Sequence, residues 1–116
     1  MFLTLNHQKL DMYAASRLFV CECYKLTKHL PGEEKYGMIT QIRRAALSVH
    51  LNIAEGASRK SPTERKRYFE IARGSVIEID AALDIAHDLQ YLNKEELSRL
   101  GDPLTRCFKI LTGLIG

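Results

Sequence analysis

The sequence predicts an all-α protein: an antiparallel up-down-up-down four-helix bundle, forming a single domain over residues 1–116. Three observations lead there. Apolar residues recur at alternating spacings of three and four in four separate stretches. Short connections rich in Pro, Gly, Ser and Asn separate those stretches, which makes antiparallel neighbours. No alternating apolar-polar run flanked by hairpin turn residues occurs anywhere in the chain.

Helix 1 is expected from about Asn6 to Leu30. Met12, Ser16, Phe19, Cys23, Leu26 and Leu30 form its stripe, widened by Tyr13 and Val20. Pro31-Gly32 ends it, since proline cannot continue a helix and glycine suits the cap. Helix 2 is expected from about Glu34 to Ser58, with Ile39, Ile42, Ala46, Val49 and Ile53 in line and Gly56 continuing the register. Helix 3 opens at Ser61-Pro62-Thr63-Glu64, where serine caps, proline suits the first helical position and glutamate completes a capping box. Its stripe is Phe69, Ala72, Val76, Ile79, Leu83 and Ala86. Running from Pro62 to about Gln90, it would be roughly 43 Å long. Helix 4 opens at Asn93-Lys94-Glu95-Glu96 and carries Leu97, Leu100, Leu104, Cys107, Leu111 and Leu114, with Phe108 alongside. Asp102-Pro103 is a point where it can bend or restart.

A hydrophobic content of 46% with 27% charged residues fits a folded globular chain and argues against disorder. Three cysteines (Cys21, Cys23 and Cys107), without framework spacing, suit free thiols in a reducing compartment. The start, MFLTLNHQKLDMY, lacks a signal peptide's apolar run, and no stretch reaches the roughly 20 apolar residues of a membrane helix. A cytoplasmic protein without a membrane partner is the expectation.

Catalytic and metal patterns are incomplete. The corner NIAEGASRKS (Asn52 to Ser61) has one glycine and no preceding strand, so it is a helix-helix turn rather than a phosphate loop. Asp84-x-x-His87 is half of a di-metal carboxylate-histidine pattern, but the second pair is missing. Asp80, Asp84 and Asp88 are therefore a solvated acidic face. Cys21-x-Cys23 points its two side chains about 200° apart on a helix, which does not suit shared ligation. Cys23 and Cys107 lie on apolar stripes and are small core residues. No nucleophile elbow is present, and His50 and His87 suit interface or surface groups as easily as bases. No catalytic residue, metal or cofactor is expected.

Charge is more informative. Arg59, Lys60, Arg65, Lys66 and Arg67 surround one turn, opposed only by Glu64, with Tyr68 and Phe69 following. Arg43, Arg44 and Arg73 add positive charge to the same hairpin. Such a cluster can neutralise phosphates, with Tyr68 available for stacking; it equally describes a solvated helix start. With the turn centred near residue 60, Arg44 and Glu78 fall at one height and can pair. Glu55 stands one turn before Arg59 in the favourable order. Gly56 and Gly74 interrupt helices at a cost of roughly 1 kcal/mol each relative to alanine, which close helix approach would offset. Ser48, Asn52 and Ser75 are polar groups of a helix-helix interface, within one chain or between chains.

Gln41-x-Arg43-Arg44-Ala45-Ala46, Ser48, Asn52-Ile53-Ala54-Glu55-Gly56 and Ala72-Arg73-Gly74-Ser75 with Glu78 together resemble the 23S rRNA intervening-sequence protein family. Leu26 to Met38 resembles that family's first connection. The resemblance implies an antiparallel bundle, a structural role for Asn52, Glu55, Gly56 and Gly74, and no enzymatic activity. Some members are encoded within intervening sequences of rRNA genes. The family is also similar to accessory variability proteins of diversity-generating retroelements, which form pentameric barrels and associate with nucleic acid and a reverse transcriptase. A homo-oligomer, pentameric by resemblance, with RNA or a ribonucleoprotein as partner is the leading expectation. A protein-interaction scaffold using Tyr13, Tyr24, Tyr36 or Tyr91 is the alternative.

Overall fold

The computed structural model describes residues 1–5 and 10–116. Among them, four α-helices follow one another: α1 (Asp11–Thr27), α2 (Met38–Ser58), α3 (Pro62–Asp88) and α4 (Lys94–Ile115). Each helix packs on two others, α1 against α2 and α4, and α3 against α2 and α4. Paired contacts give the direction. Thr27 meets Arg43 while Ser16 meets His50, so α1 and α2 are antiparallel. Ser48 meets Ser75 while Gln41 meets Glu78, so α2 and α3 are too. His29 meets Glu96 at the α1–α4 contact, and Arg73 meets Thr112 between α3 and α4. The up-down-up-down bundle follows from these pairs.

The four predicted stripes meet in one core. Phe19, Cys23, Ile53, Ile79, Ala86 and Leu111 are fully excluded from solvent, and Cys107 is 2% exposed. Burial pushes the Cys23 thiol up to about 12, with Cys107 and Glu22 adding to the shift. Burial likewise raises Cys107 to about 11. Both are core residues held as neutral thiols.

Boundaries differ from the sequence expectation for local reasons. The expected start of helix 1 at Asn6 lies outside the described residues, and Leu10 is extended just before Asp11. Residues 32–34 form a separate 3₁₀ turn, so α2 begins at Met38 rather than Glu34. Glu34 still serves α2, since its Oε2 accepts from the Met38 amide at 3.3 Å. Ser61 caps α3 through the Glu64 amide, with Pro62 opening the helix, as expected, but only this half of the expected capping box forms. Asn93 and Glu96 form the complete capping box of α4. Asp102-Pro103 does not restart the helix: α4 runs through Pro103 uninterrupted. Leu114, expected on the core stripe, is 49% exposed.

α3 ends without glycine. Gln90 takes a left-handed φ of 62°. Its amide donates to the His87 carbonyl, and the Tyr91 amide donates to the Ala86 carbonyl. These are the two bonds of a Schellman ending, which favours glycine at the Gln90 position.

Two polar clusters tie α1 to α2. Ser16 is fully buried; its Oγ donates to the Tyr13 carbonyl at 3.0 Å and lies 2.7 Å from His50 Nδ1. Thr27 Oγ1 donates to the Tyr24 carbonyl and accepts from Arg43 Nε at 2.9 Å. The Arg43 guanidinium also lies 4.8 Å from the centre of the Tyr24 ring.

Candidate nucleic-acid interface

The α2–α3 corner is built around Gly56. A Cβ at Gly56 would fall 2.8 Å from the Phe69 ring and 3.0 Å from Tyr68 Cβ. The close approach expected of this glycine is therefore present. Gly74 is the opposite case: it is exposed, and a Cβ there would meet nothing within 4 Å. Close packing within the chain does not account for Gly74.

Beyond Gly56, the turn is short. Arg59 and Ser61 are extended, and α3 begins at Pro62. Arg59 folds back on its own protein: Nη2 lies 3.1 Å from Glu55 Oε2 and 3.1 Å from the Tyr68 hydroxyl. Its guanidinium sits 5.1 Å from the Tyr68 ring centre. Tyr68 foremost, and Glu55 with it, hold Arg59 firmly protonated. The expected Glu55–Arg59 pair is thus formed, and Tyr68 is partly covered by Arg59 rather than left open for stacking.

Lys60, Arg65, Lys66 and Arg67 are exposed, and among the described residues none of them pairs with a carboxylate. Successive helical residues diverge by about 100°, and only Arg65 and Lys66 line the cleft of about 340 Å³ where the start of α3 meets the end of α4. Pro62, Phe69, Leu114 and Ile115 complete that cleft. The last turn of α4 has no basic residue of its own. Arg65 and Lys66 therefore also complement the negative end of the α4 dipole.

Arg73 lies further along the same α3–α4 face, with Nη1 3.4 Å from Thr112 Oγ1. Arg43 is elsewhere. It is engaged at the α1–α2 contact, sixteen residues and roughly 24 Å of helix from Arg59. The expectation that it joins the cluster fails because α2 carries it to the other end of the hairpin.

The polar residues of the hairpin form a seam. Ser75 Oγ donates to Ser48 Oγ at 3.0 Å, and Asn52 Nδ2 reaches the Ser48 carbonyl at 2.8 Å and Ser48 Oγ at 3.1 Å. Glu78 accepts from Gln41 Nε2 at 3.0 Å rather than pairing with Arg44. Arg44 stays exposed on the rim of a small cleft shared with Gln41, Ser48, Ser75 and Glu78. Matching heights placed Arg44 near Glu78, but the helical rotation turns Gln41 toward it.

The four tyrosines singled out as contact residues divide. Tyr13 packs on His50 with ring centres 4.6 Å apart, Tyr24 lies under Arg43, and Tyr91 packs against the core. Tyr36 is open, at 88% exposure.

The chain resembles a solved crystal structure from Bacteroides thetaiotaomicron VPI-5482, a protein of unknown function from the S23 ribosomal protein family. The TM-score is 0.82 at 25% identity, covering 90% of this chain and 97% of that one. No curated protein matches the chain. The model of the 23S rRNA-intervening sequence proteins matches residues 8–113, and by that match the chain belongs to this family.

Proposed function

We propose that the protein is a non-enzymatic, cytoplasmic helical bundle that binds structured RNA through the start of α3. The observation that carries this reading is the set of four exposed cations, Lys60, Arg65, Lys66 and Arg67, without carboxylate partners among the described residues. Cations at a helix N-terminus oppose its dipole, and phosphates remove that penalty. Self-association belongs to the same reading, with a pentamer expected by resemblance to the accessory variability proteins. Exposed Leu47, Leu51, Ile71, Ile77 and Ile85, together with the uncovered Gly74, give α2 and α3 apolar outer surface for it. An oligomer would repeat a weak basic end and gain affinity by multivalency.

RNA binding across a salt series tests the reading, comparing wild type with a variant carrying Gln at positions 60, 65, 66 and 67. The expected log-log salt slope is steep in wild type and shallower in the variant, by about 0.7–0.9 for each phosphate that is no longer neutralised. Arg59→Gln alone should change RNA affinity least, because Arg59 is already engaged by Glu55 and Tyr68. No binding at low salt, or equal slopes, would turn the reading to a protein scaffold held by the apolar surface.

A further inference from the structure

A second cleft, of about 550 Å³, lies between the C-terminal half of α3 and the N-terminal half of α4. Its floor is apolar, made of Leu83, Leu97, Leu100 and Leu104. Its α3 rim carries Asp80, Asp84 and Asp88, together with His87. Among the described residues none of these aspartates pairs with a cation. The α4 rim carries no charge and is cut low at Gly101, beside Thr105. A Cβ at Gly101 would meet nothing within 4 Å.

The layout has a repeat. Asp80, Asp84 and Asp88 stand four residues apart, steps of about 6 Å along the helix. Leu97, Leu100 and Leu104 follow at three and four on the facing helix. An apolar floor with one acidic rim at helical spacing matches an amphipathic helix, whose apolar anchors enter a groove while its cations meet the rim. Charge excludes the phosphate backbone of a nucleic acid here and selects a cationic occupant.

We propose that this groove receives a cationic amphipathic helix of a protein partner, with leucine-like anchors on the floor and Lys or Arg at four-residue spacing against Asp80, Asp84 and Asp88. The inference is independent of RNA binding at the basic end. The two sites share α3 but not a residue, so a partner helix and a phosphate ligand can be held together.

The test uses a fluorescent helical peptide of leucine and lysine, with the lysines four residues apart, titrated into the full chain at low salt. Saturable binding is expected. It should weaken at least tenfold when Asp80, Asp84 and Asp88 are all changed to Asn, and when the peptide lysines become glutamine. Gly101→Leu should also weaken it at least tenfold by filling the groove, without lowering the melting temperature, because the position has open space. That variant separates the groove from general attraction between a cationic peptide and acidic surface. Equal binding by Gly101→Leu and wild type would overturn the proposal, as would no saturable binding. Concentration-dependent self-association dissolved by Gly101→Leu, without peptide binding, would overturn it in favour of a second copy in the groove.

Discussion

The two sides of α3 are built differently. Toward α2 the helix is tied by direct contacts around one small cleft: Gly56 admits the Phe69 ring, Ser48, Asn52 and Ser75 satisfy one another, and Gln41 takes Glu78. Toward α4 it opens into two clefts, one lined by Arg65 and Lys66 and the other by Asp80, Asp84 and Asp88. The first side holds the bundle together. The second leaves charge without ion-pair partners among the described residues, with cations near the start of α3 and acids along its second half.

Substitutions at the two glycines of the hairpin break this comparison most strongly. Gly56→Leu should destabilise the fold by about 3 kcal/mol, since overpacking against a buried ring leaves no room for the side chain. Gly74→Ala should instead stabilise by about 1 kcal/mol, because nothing opposes the new methyl and helix propensity improves. Chemical denaturation of both variants checks the pair, and a loss of stability in Gly74→Ala would show that the position is covered by a second copy.

The core thiols give a pH test. Cys23 and Cys107 are raised to about 12 and about 11 from an ordinary 9.0. Their contribution to stability is present in full below pH 9 and is lost as pH rises through the folded values. Melting temperature should therefore fall between pH 9 and pH 11, and less steeply in Cys23→Ala once its own lower baseline is subtracted. At pH 8 Cys21, which is exposed, should react with a thiol reagent long before the two buried thiols.

Smaller effects sharpen the contrast. Ser75→Ala should cost about 1 kcal/mol by removing the bond to Ser48 on the α2 side. Gln90→Gly should gain on the order of 1 kcal/mol by relieving the left-handed residue after α3. Asp88→Asn, in the last turn of α3 on the open side, should gain a few tenths of a kcal/mol, at the low end of dipole effects. A decrease there would mean that the acid makes a structural contact.

Most of the fold was legible in the sequence because apolar periodicity is local: Phe69, Ala72, Val76, Ile79, Leu83 and Ala86 declare one buried face without knowledge of any neighbour. What depends on two helices at once was not legible. Gly56 and Gly74 look alike in sequence, and only the position of Phe69 distinguishes them. Height along the hairpin brought Arg44 to Glu78, but rotation gave Glu78 to Gln41. Ser16 stood out only as a stripe position; its bond to His50 needs the α1–α2 register. The acidic groove had a readable signal, since Asp80, Asp84 and Asp88 recur at four-residue steps on one helix face. That signal says which charges share a face, not that a cleft lies between the helices.

The Gly56 contact also sets how the hairpin comes apart. Phe69 is 4% exposed, and its ring packs directly on backbone that has no Cβ. The end of α2 and the start of α3 are thereby wedged together without slack. They should open as one unit, with the amides of Gly56 and Phe69 exchanging together.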